Sequence, residues 1–526
     1  MQRLTNACFY TLNPQQPRVD ALLIAHGRIL AAGTRADLRA LAPNAREQDL
    51  AGAFALPGLT DAHIHLEHYA LSLQKVDCET ATLHECLQRI AARARQTPPG
   101  QWILGHGWNH NPWGGNLPTA ADLDAVAPQH PVYLTAKSLH AGWANSLALQ
   151  TVHLNANTPN PEGGEIVRDP HGNPTGALLE NAMHLVAHRI PQTSPEDLQR
   201  ALQHAQSTLH RLGITAVHDF DRRRAFVALQ TLHQRGDLRL RVVKNLPVED
   251  LQHAIELGIR SGLGDLTLRI GGIKAFADGA LGPHTAAMLQ PYQGEPHNTG
   301  ILLLDREALF DYGRQATANG LSLTVHAIGD RANHELLEAY TQLRAYEREH
   351  HLPHLRHRVE HVQLIHPQDA NRLAQLNLIA SMQPIHALSD MDMADRYWGE
   401  RAAFSYAWQL QQQAGAVLAF GSDAPVDSPN PFWGLYAATT RRKLEDADGG
   451  FGWYTSQCLS LPEALAAYTR GPAYTANLEN QVGQLAPGFA ADLILLPHDP
   501  FTLSPAALRD LLPSATLFNG EWVFTQ

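Results

Sequence analysis

At 526 residues, 44% of them apolar and 17% charged, the chain is too long for one ordinary domain and too well balanced to be disordered or membrane-spanning. A net charge of −11 without a basic tract argues against a nucleic-acid partner, and Cys8, Cys78, Cys86 and Cys458 have neither disulfide-framework nor zinc-finger spacing. The start, MQRLTNAC, lacks the basic-then-apolar order of a signal peptide, and apolar runs such as 21–24 and 493–496 are only strand-sized, so a cytoplasmic protein that does not engage a membrane is expected.

In chain order, residues 1–53 are β-rich, with ALLIAHGRIL (21–30) reading as two short strands around a His-Gly turn. Residues 54–66 read as the first strand of a barrel. The segment 67–200 is far too long for an ordinary crossover and reads as an inserted subdomain. Within it GHGWNHNPWGG (105–115) is too irregular for a helix, and Trp108, Trp113 and Trp143 either line an apolar pocket or pack for structure. From 201 to 475 strand-like runs (213–220, 238–246, 268–278, 321–328, 354–363, 378–384 and 417–425) alternate with helical stretches such as 195–212 and 331–349. Ser194 followed by Pro195 is a helix start signal. With 54–66 this makes eight strands and implies an α/β fold, a closed parallel (β/α)8 or TIM barrel. Residues 476–526 return to β structure, and Asn519-Gly520 favours a tight type I′ hairpin.

The chemistry begins at His63-Ile64-His65. Alternate residues of a strand share a face, so the two imidazoles can take neighbouring positions around one ion. Such a pair is weak evidence alone in a chain with 30 histidines. Lys274, His326, His361 and Asp423 strengthen it, because each lies in or near the end of a strand-like run, where barrel enzymes place their active sites. Taken singly, Asp423 reads equally as a helix N-cap.

These segments spell a family. The chain resembles the amidohydrolase superfamily, and within it the family-3, YtcJ-like metal-dependent hydrolases. The likeness lies in LPGLTDAHIHL (56–66), GIKAFADGALG (272–282), VHAIGDRA (325–332), HRVEHVQ (357–363), SMQP (381–384), GSDAP (421–425) and GFAADL (488–493), with GHGW (105–108) and HAGWAN (140–145) in the insertion. It implies a (β/α)8 barrel, a small β-sandwich formed by both termini and an inserted α/β subdomain. One departure stands out: after DGALG many relatives continue Ser-Arg-Thr, whereas this chain has Pro283-His284-Thr285.

On that resemblance His63, His65 and Asp423 would bind one divalent ion, His326 and His361 a second, and Lys274 would bridge them. An ammonium cannot ligate, but a neutral lysine amine adds carbon dioxide to give a carbamate that behaves as a bidentate carboxylate. The implied cofactor is two zinc ions, although the donors also suit manganese, iron or cobalt. Metal-activated water would attack a carbonyl, with Asp423 moving the proton from water to the leaving group. The expected activity is hydrolysis of a C–N bond in a linear or cyclic amide. The alternatives are a mononuclear deaminase or ester or lactone hydrolase, with Lys274 unmodified, and a non-catalytic ligand-binding barrel. Oxyanion donors would come from His140, His218 or His386, and Asp219 would orient a histidine. Trp108, Trp113, His140, Asp278, His284, Arg331 and His386 are the candidate contacts to a small-molecule substrate, Arg331 being equally able to cap a helix. The β elements at the termini offer a homodimer surface.

Overall fold

The computed structural model describes residues 1–137, 140–446 and 450–526. It divides into two compact units, one made of Met1–Tyr69 and Leu202–Gln526, the other of Ala70–Ala201.

The first unit holds eight parallel strands: β1 (Leu59–Ile64), β2 (Ile214–Asp219), β3 (Arg241–Pro247), β4 (Leu268–Phe276), β5 (Leu323–Ala327), β6 (Arg358–His361), β7 (Ile379–Met382) and β8 (Val417–Phe420). Each pairs with its neighbours in chain order. Backbone bonds just past β1 and β8 join the ends of the sheet: Asp423 N–H donates to the His63 carbonyl at 2.7 Å, and His65 N–H to the Ala424 carbonyl at 2.9 Å. Every residue of β1, β6 and β7 is buried, as strands covered on both faces require. Helices such as Arg223–Arg235, Arg306–Ala318 and Asp330–Glu349 alternate with the strands. Helix Pro195–Arg211 starts where the sequence signals it, with Ser194 Oγ accepting the Asp197 N–H at 3.1 Å.

Both chain ends do meet, in one seven-stranded sheet. Its order is Glu521–Thr525, Ala515–Phe518, Leu493–Leu496, Arg46–Pro57, Gln2–Tyr10, Arg18–Ala25, Arg28–Gly33. Leu4, Leu22, Ile29, Ala55, Leu493 and Leu517 form its core. The Asn519-Gly520 turn has φ of 51° and 78°, the two positive angles of a type I′ hairpin, and His26-Gly27 repeats the pattern at 51° and 71°.

One boundary needs correcting. The segment 54–66, read as a single barrel strand, is two strands. Phe54–Pro57 pairs antiparallel with Leu493–Leu496 in the terminal sheet, and the barrel strand begins only at Leu59. Gly58 makes the change of sheet. Its N–H goes to the Asp492 carbonyl, and a Cβ there would stand 2.2 Å from Thr215 Oγ1. Apolar content is continuous across Gly58, so periodicity could not reveal the break.

The second unit, read from sequence as 67–200, carries a six-stranded sheet in which Val76–Asp77, Ile103–Trp108 and Val132–Ala136 run parallel and the other neighbours antiparallel. Helix Leu83–Gln96 packs Cys86 and Ile90 into its core beside Trp108 and Trp143. Among the described residues no helix is long and apolar enough to cross a membrane.

Candidate metal centre

His63 lies on β1 and His65 just beyond it, and they face one point as the H-x-H spacing predicts. His63 Nε2 is 3.6 Å and His65 Nε2 3.4 Å from Asp423 Oδ1. Asp423 reaches them from the turn after β8 with a left-handed backbone, φ 59°, which is uncommon for a non-glycine residue. The turn is pinned by buried Asp61, whose Oδ1 accepts the His63 and Ser422 N–H groups while Oδ2 accepts the Ser422 hydroxyl. Asp423 Oδ1 is buried without a hydrogen-bond partner among the described residues. Burial raises the Asp423 carboxyl above its ordinary range, against the pull of His386, His65 and Lys274.

Each histidine is held by its second nitrogen. His63 Nδ1 bonds Glu360 Oε2 at 2.5 Å, and its ring stacks on Phe220 with centroids 3.9 Å apart. His65 Nδ1 bonds Asp221 Oδ1 at 3.2 Å. His361 Nδ1 bonds Gln383 Oε1 at 2.8 Å, and His326 Nε2 donates to the Gly279 carbonyl at 2.9 Å. These bonds fix tautomers, leaving Nε2 of His63, His65 and His361 and Nδ1 of His326 with free lone pairs. The rings of His361 and His326 have centroids 4.5 Å apart, those of His361 and His63 4.9 Å. Burial, then the charge of Lys274, lowers His326 to about 3, and burial takes His63 and His361 well below 6.5, so all three are neutral. Burial would raise Asp221, but the hydrogen bonds from His65 and His68 outweigh it and hold the carboxyl below its usual range.

Lys274, on β4, is 4% exposed, with Nζ 4.7 Å from the Phe220 ring centre and 4.8 Å from that of Phe276. It forms no salt bridge with Asp278 or Glu360. Glu360 instead pairs with Arg358, Nε to Oε1 at 2.7 Å. Burial lowers the Lys274 ammonium to about 8. His218 bonds Arg358, and Asp219 pairs with Lys244 at 2.8 Å and accepts the Leu66 N–H, so both serve the barrel interior.

The candidate substrate contacts divide. His386 is 5% exposed, its Nε2 makes no hydrogen bond among the described residues and lies 3.8 Å from Asp427 Oδ2, and its ring lies near-parallel to His361. The ligand atoms of His361, His386 and Asp423 come within 4.8 Å of one another, as do those of His63, His65 and Asp423. Asp278 is a clasp: its carboxylate accepts N–H groups of Ala287, Ile328 and Gly329 at 2.8–3.0 Å. His284 is tied to Glu295 at 2.7 Å and lies against Tyr292 and Tyr397. Arg331 starts the helix Asp330–Glu349 with its N–H on the Ala287 carbonyl. In the inserted unit, Trp108, Trp113 and Trp143 spend their indole N–H groups on the carbonyls of Leu134, Thr80 and Thr119, which gives them a packing role there; His140 is exposed and bonds Glu180 at 3.0 Å.

Sequence reasoning missed Glu360, Asp221 and Gln383 as the groups that orient the imidazoles. A usable signal existed for Glu360: it shares the barrel-facing parity of Arg358, and an acid and a base two residues apart on a fully buried strand must meet partners inside.

A parallel barrel whose strand ends gather imidazoles around a buried carboxylate, one oxygen of which has no hydrogen bond among the described residues, has the make-up of a hydrolytic enzyme. The chain belongs to the amidohydrolase family, whose sequence profile matches residues 46–524. It is 32% identical to YtcJ of Bacillus subtilis over 98% of each chain, and 29% identical to an N-substituted formamide deformylase of Arthrobacter pascens over 98% of this chain and 97% of that one. The crystal structure of an uncharacterized metal-dependent hydrolase from Pyrococcus horikoshii superposes with a TM-score of 0.78 at 28% identity, covering 96% of this chain and 99% of the other.

Proposed function

We propose that this protein is a metal-dependent hydrolase that cleaves the C–N bond of a small linear or cyclic amide in the cytoplasm. The observation that carries the reading is the convergence of His63 Nε2 and His65 Nε2 on Asp423 Oδ1, a buried oxygen without a hydrogen bond among the described residues. Imidazole nitrogens and a carboxylate are the donors that zinc and similar ions take, and a buried carboxylate oxygen left bare needs a cation. His63, His65 and Asp423 would hold one ion and His326 and His361 a second, with Lys274, carboxylated on Nζ, between them. Ions bound there supply Lewis acidity, lowering the pKa of water and polarising a carbonyl.

The chain's own residues do the rest. Asp423 accepts the proton of the attacking water and returns it to the leaving nitrogen; the C–O bond forms, the C–N bond breaks, and an acid and an amine leave. His386 Nε2 donates to the substrate oxygen as charge develops on it. Glu360, Asp221 and Gln383 hold the imidazoles in place. The relatedness to a deformylase of N-substituted formamides favours the amide class.

A mononuclear reading has one observation behind it: Lys274 Nζ lies over two aromatic faces, a setting that also suits an unmodified ammonium. Metal content separates the two. Protein purified without chelator and with bicarbonate is expected to carry near two equivalents, falling to one or none in Lys274→Ala. About one in both proteins would establish the mononuclear site. Against a panel of N-substituted formamides and cyclic amides, turnover in the parent and its loss in Asp423→Asn are expected; no Asp423-dependent turnover would end the amide reading.

A further inference from the structure

On the outer layer of the barrel lies an apolar groove of about 410 Å³, whose lining contains none of the residues of the candidate metal centre. Helices Arg223–Arg235 and Leu251–Glu256 flank it, and its lining includes Phe226, Leu246, Ala254, Leu257, Leu263 and Ile270. Two of these leucines stay in water, Leu257 at 77% and Leu263 at 52% exposure, which is costly unless something covers them.

The groove holds one guanidinium. Arg269 lines it, its Nη2 donates to the Gly262 carbonyl at 3.2 Å, and its Nε is buried with no hydrogen bond among the described residues. Its backbone is fixed: Ile270 N–H donates to the Leu263 carbonyl, Gly262 N–H to the Ile270 carbonyl, and Arg269 bridges to Gly264. The nearby acid is already committed, since Asp265 pairs with His233 at 3.0 Å and accepts the N–H groups of Thr267 and Leu268. At the rim Asp250 and His253 face each other at 4.0 Å. Burial lowers the Arg269 guanidinium below its ordinary value, and the charge of Asp265 offsets this only in part. An apolar trough with one convergent donor is the general form of a small-ligand site.

We propose that this groove binds a single-chain carboxylate amphiphile, a fatty acid of medium length, with its chain along the apolar walls and its carboxylate on Arg269. The carboxylate meets the positive charge of the Arg269 guanidinium, and the chain covers Leu257 and Leu263. A cationic amphiphile has the same tail but meets an unpaired cation, so charge decides the ligand.

The test is titration calorimetry on the full chain with dodecanoate below its micellar concentration, compared with dodecyltrimethylammonium and dodecanol. Dodecanoate is expected to bind one per chain, at least tenfold tighter than the ammonium. Arg269→Met, which keeps the stem, is expected to weaken dodecanoate at least tenfold while dodecanol is unchanged. Leu257→Glu, at an exposed position that folding tolerates, is expected to weaken both, with metal content as in the parent throughout. Equal binding of the two charged amphiphiles, an undiminished affinity in Arg269→Met, or no saturable binding would each overturn the proposal. So would a dimer of this chain that Leu257→Glu splits in the absence of any dodecanoate binding.

Discussion

Glu360 and His63 are locked together inside the barrel: Glu360 Oε2 is 2.5 Å from His63 Nδ1, and the two side chains are 0% and 1% exposed. The carboxylate's other oxygen faces Arg358 Nε at 2.7 Å, so one acid sets the His63 tautomer and also neutralises a buried cation. Replacing it with the isosteric amide keeps the shape and removes the charge. Glu360→Gln is therefore expected to lower metal affinity about 10- to 100-fold in chelator competition. It should also lower the melting temperature, because Arg358 is left buried without its counter-charge. A lower melting temperature with unchanged metal affinity would mean that Glu360 serves Arg358 alone.

His386 separates binding from chemistry. Its Nε2 is buried beside Asp423 and Asp427 and makes no hydrogen bond among the described residues. A donor aimed at developing charge acts on kcat more than on KM. His386→Phe is expected to reduce kcat about 100-fold with metal content and melting temperature near those of the parent. A loss of one metal equivalent instead would make His386 a ligand.

The sequence made the frame of this site legible and hid its finish. His63 and His65 were readable because alternation on a strand is a strong geometric rule, and their Nε2 atoms do converge. The eight strands were readable from apolar runs between helical stretches, but their ends were not: 354–363 narrows to Arg358–His361 and 417–425 to Val417–Phe420. His361 at φ 75° and Asp423 at φ 59° leave the extended conformation, so parity cannot say where their side chains point. Their orientation comes from tertiary bonds, such as Gln383 on His361, that link segments far apart in sequence. The tryptophans of the insertion show the opposite limit. Their spacing is conspicuous, yet buried or half-buried indoles with satisfied N–H groups look the same in sequence as a binding wall.

Gly421 tests how tightly β8 delivers Asp423. A Cβ at Gly421 would fall 2.4 Å from the His63 N and 2.7 Å from Asp61 Oδ1, whereas one at Gly33 meets nothing within 4 Å. Gly421→Ala is thus expected to destabilise by about 2–3 kcal/mol, since backbone and a pinned carboxylate would have to move. Gly33→Ala should stay within about 0.5 kcal/mol of the parent. Denaturant unfolding of the pair measures this; equal effects would show that the β1–β8 closure is loose.

Two buried histidines set an acid limit away from the candidate metal centre. His210 Nε2 donates to the Arg239 carbonyl, and His357 accepts the Leu323 N–H on Nδ1 while Nε2 faces Glu347; burial lowers both to about 4. The unfolded chain takes up these protons near the ordinary value of about 6.5, and the folded chain only near 4. The unfolded state therefore binds more protons between those values. Stability is full above about 6.5 and falls as the pH drops towards 4, by up to roughly 3 kcal/mol for each group. The melting temperature should fall between pH 7 and pH 5, and fall less in His210→Asn. A drop unaltered by that substitution would place the acid sensitivity elsewhere.

Asp492, in the closing GFAADL motif, fastens the terminal sheet to the barrel. Its oxygens take Arg241 Nε at 2.5 Å and Nη2 at 2.9 Å at the start of β3, and Oδ1 also accepts the Asn519 N–H at 2.7 Å. Arg241 is 4% exposed, its guanidinium lies 4.9 Å over the Phe518 ring, and among the described residues it has no other salt bridge. Asp492→Ala leaves a buried cation unpaired and is expected to cost about 3–5 kcal/mol. Removing both charges, in Asp492→Leu with Arg241→Met, should restore a large part of that, because the desolvation penalty of the guanidinium goes with its partner. Neither variant touches the imidazoles or Asp423, so metal content per folded chain should be unchanged in both. Metal loss at an unchanged melting temperature would show that this clamp reaches the centre through Gly58, whose N–H the Asp492 carbonyl holds two residues from Thr60 and five from His63.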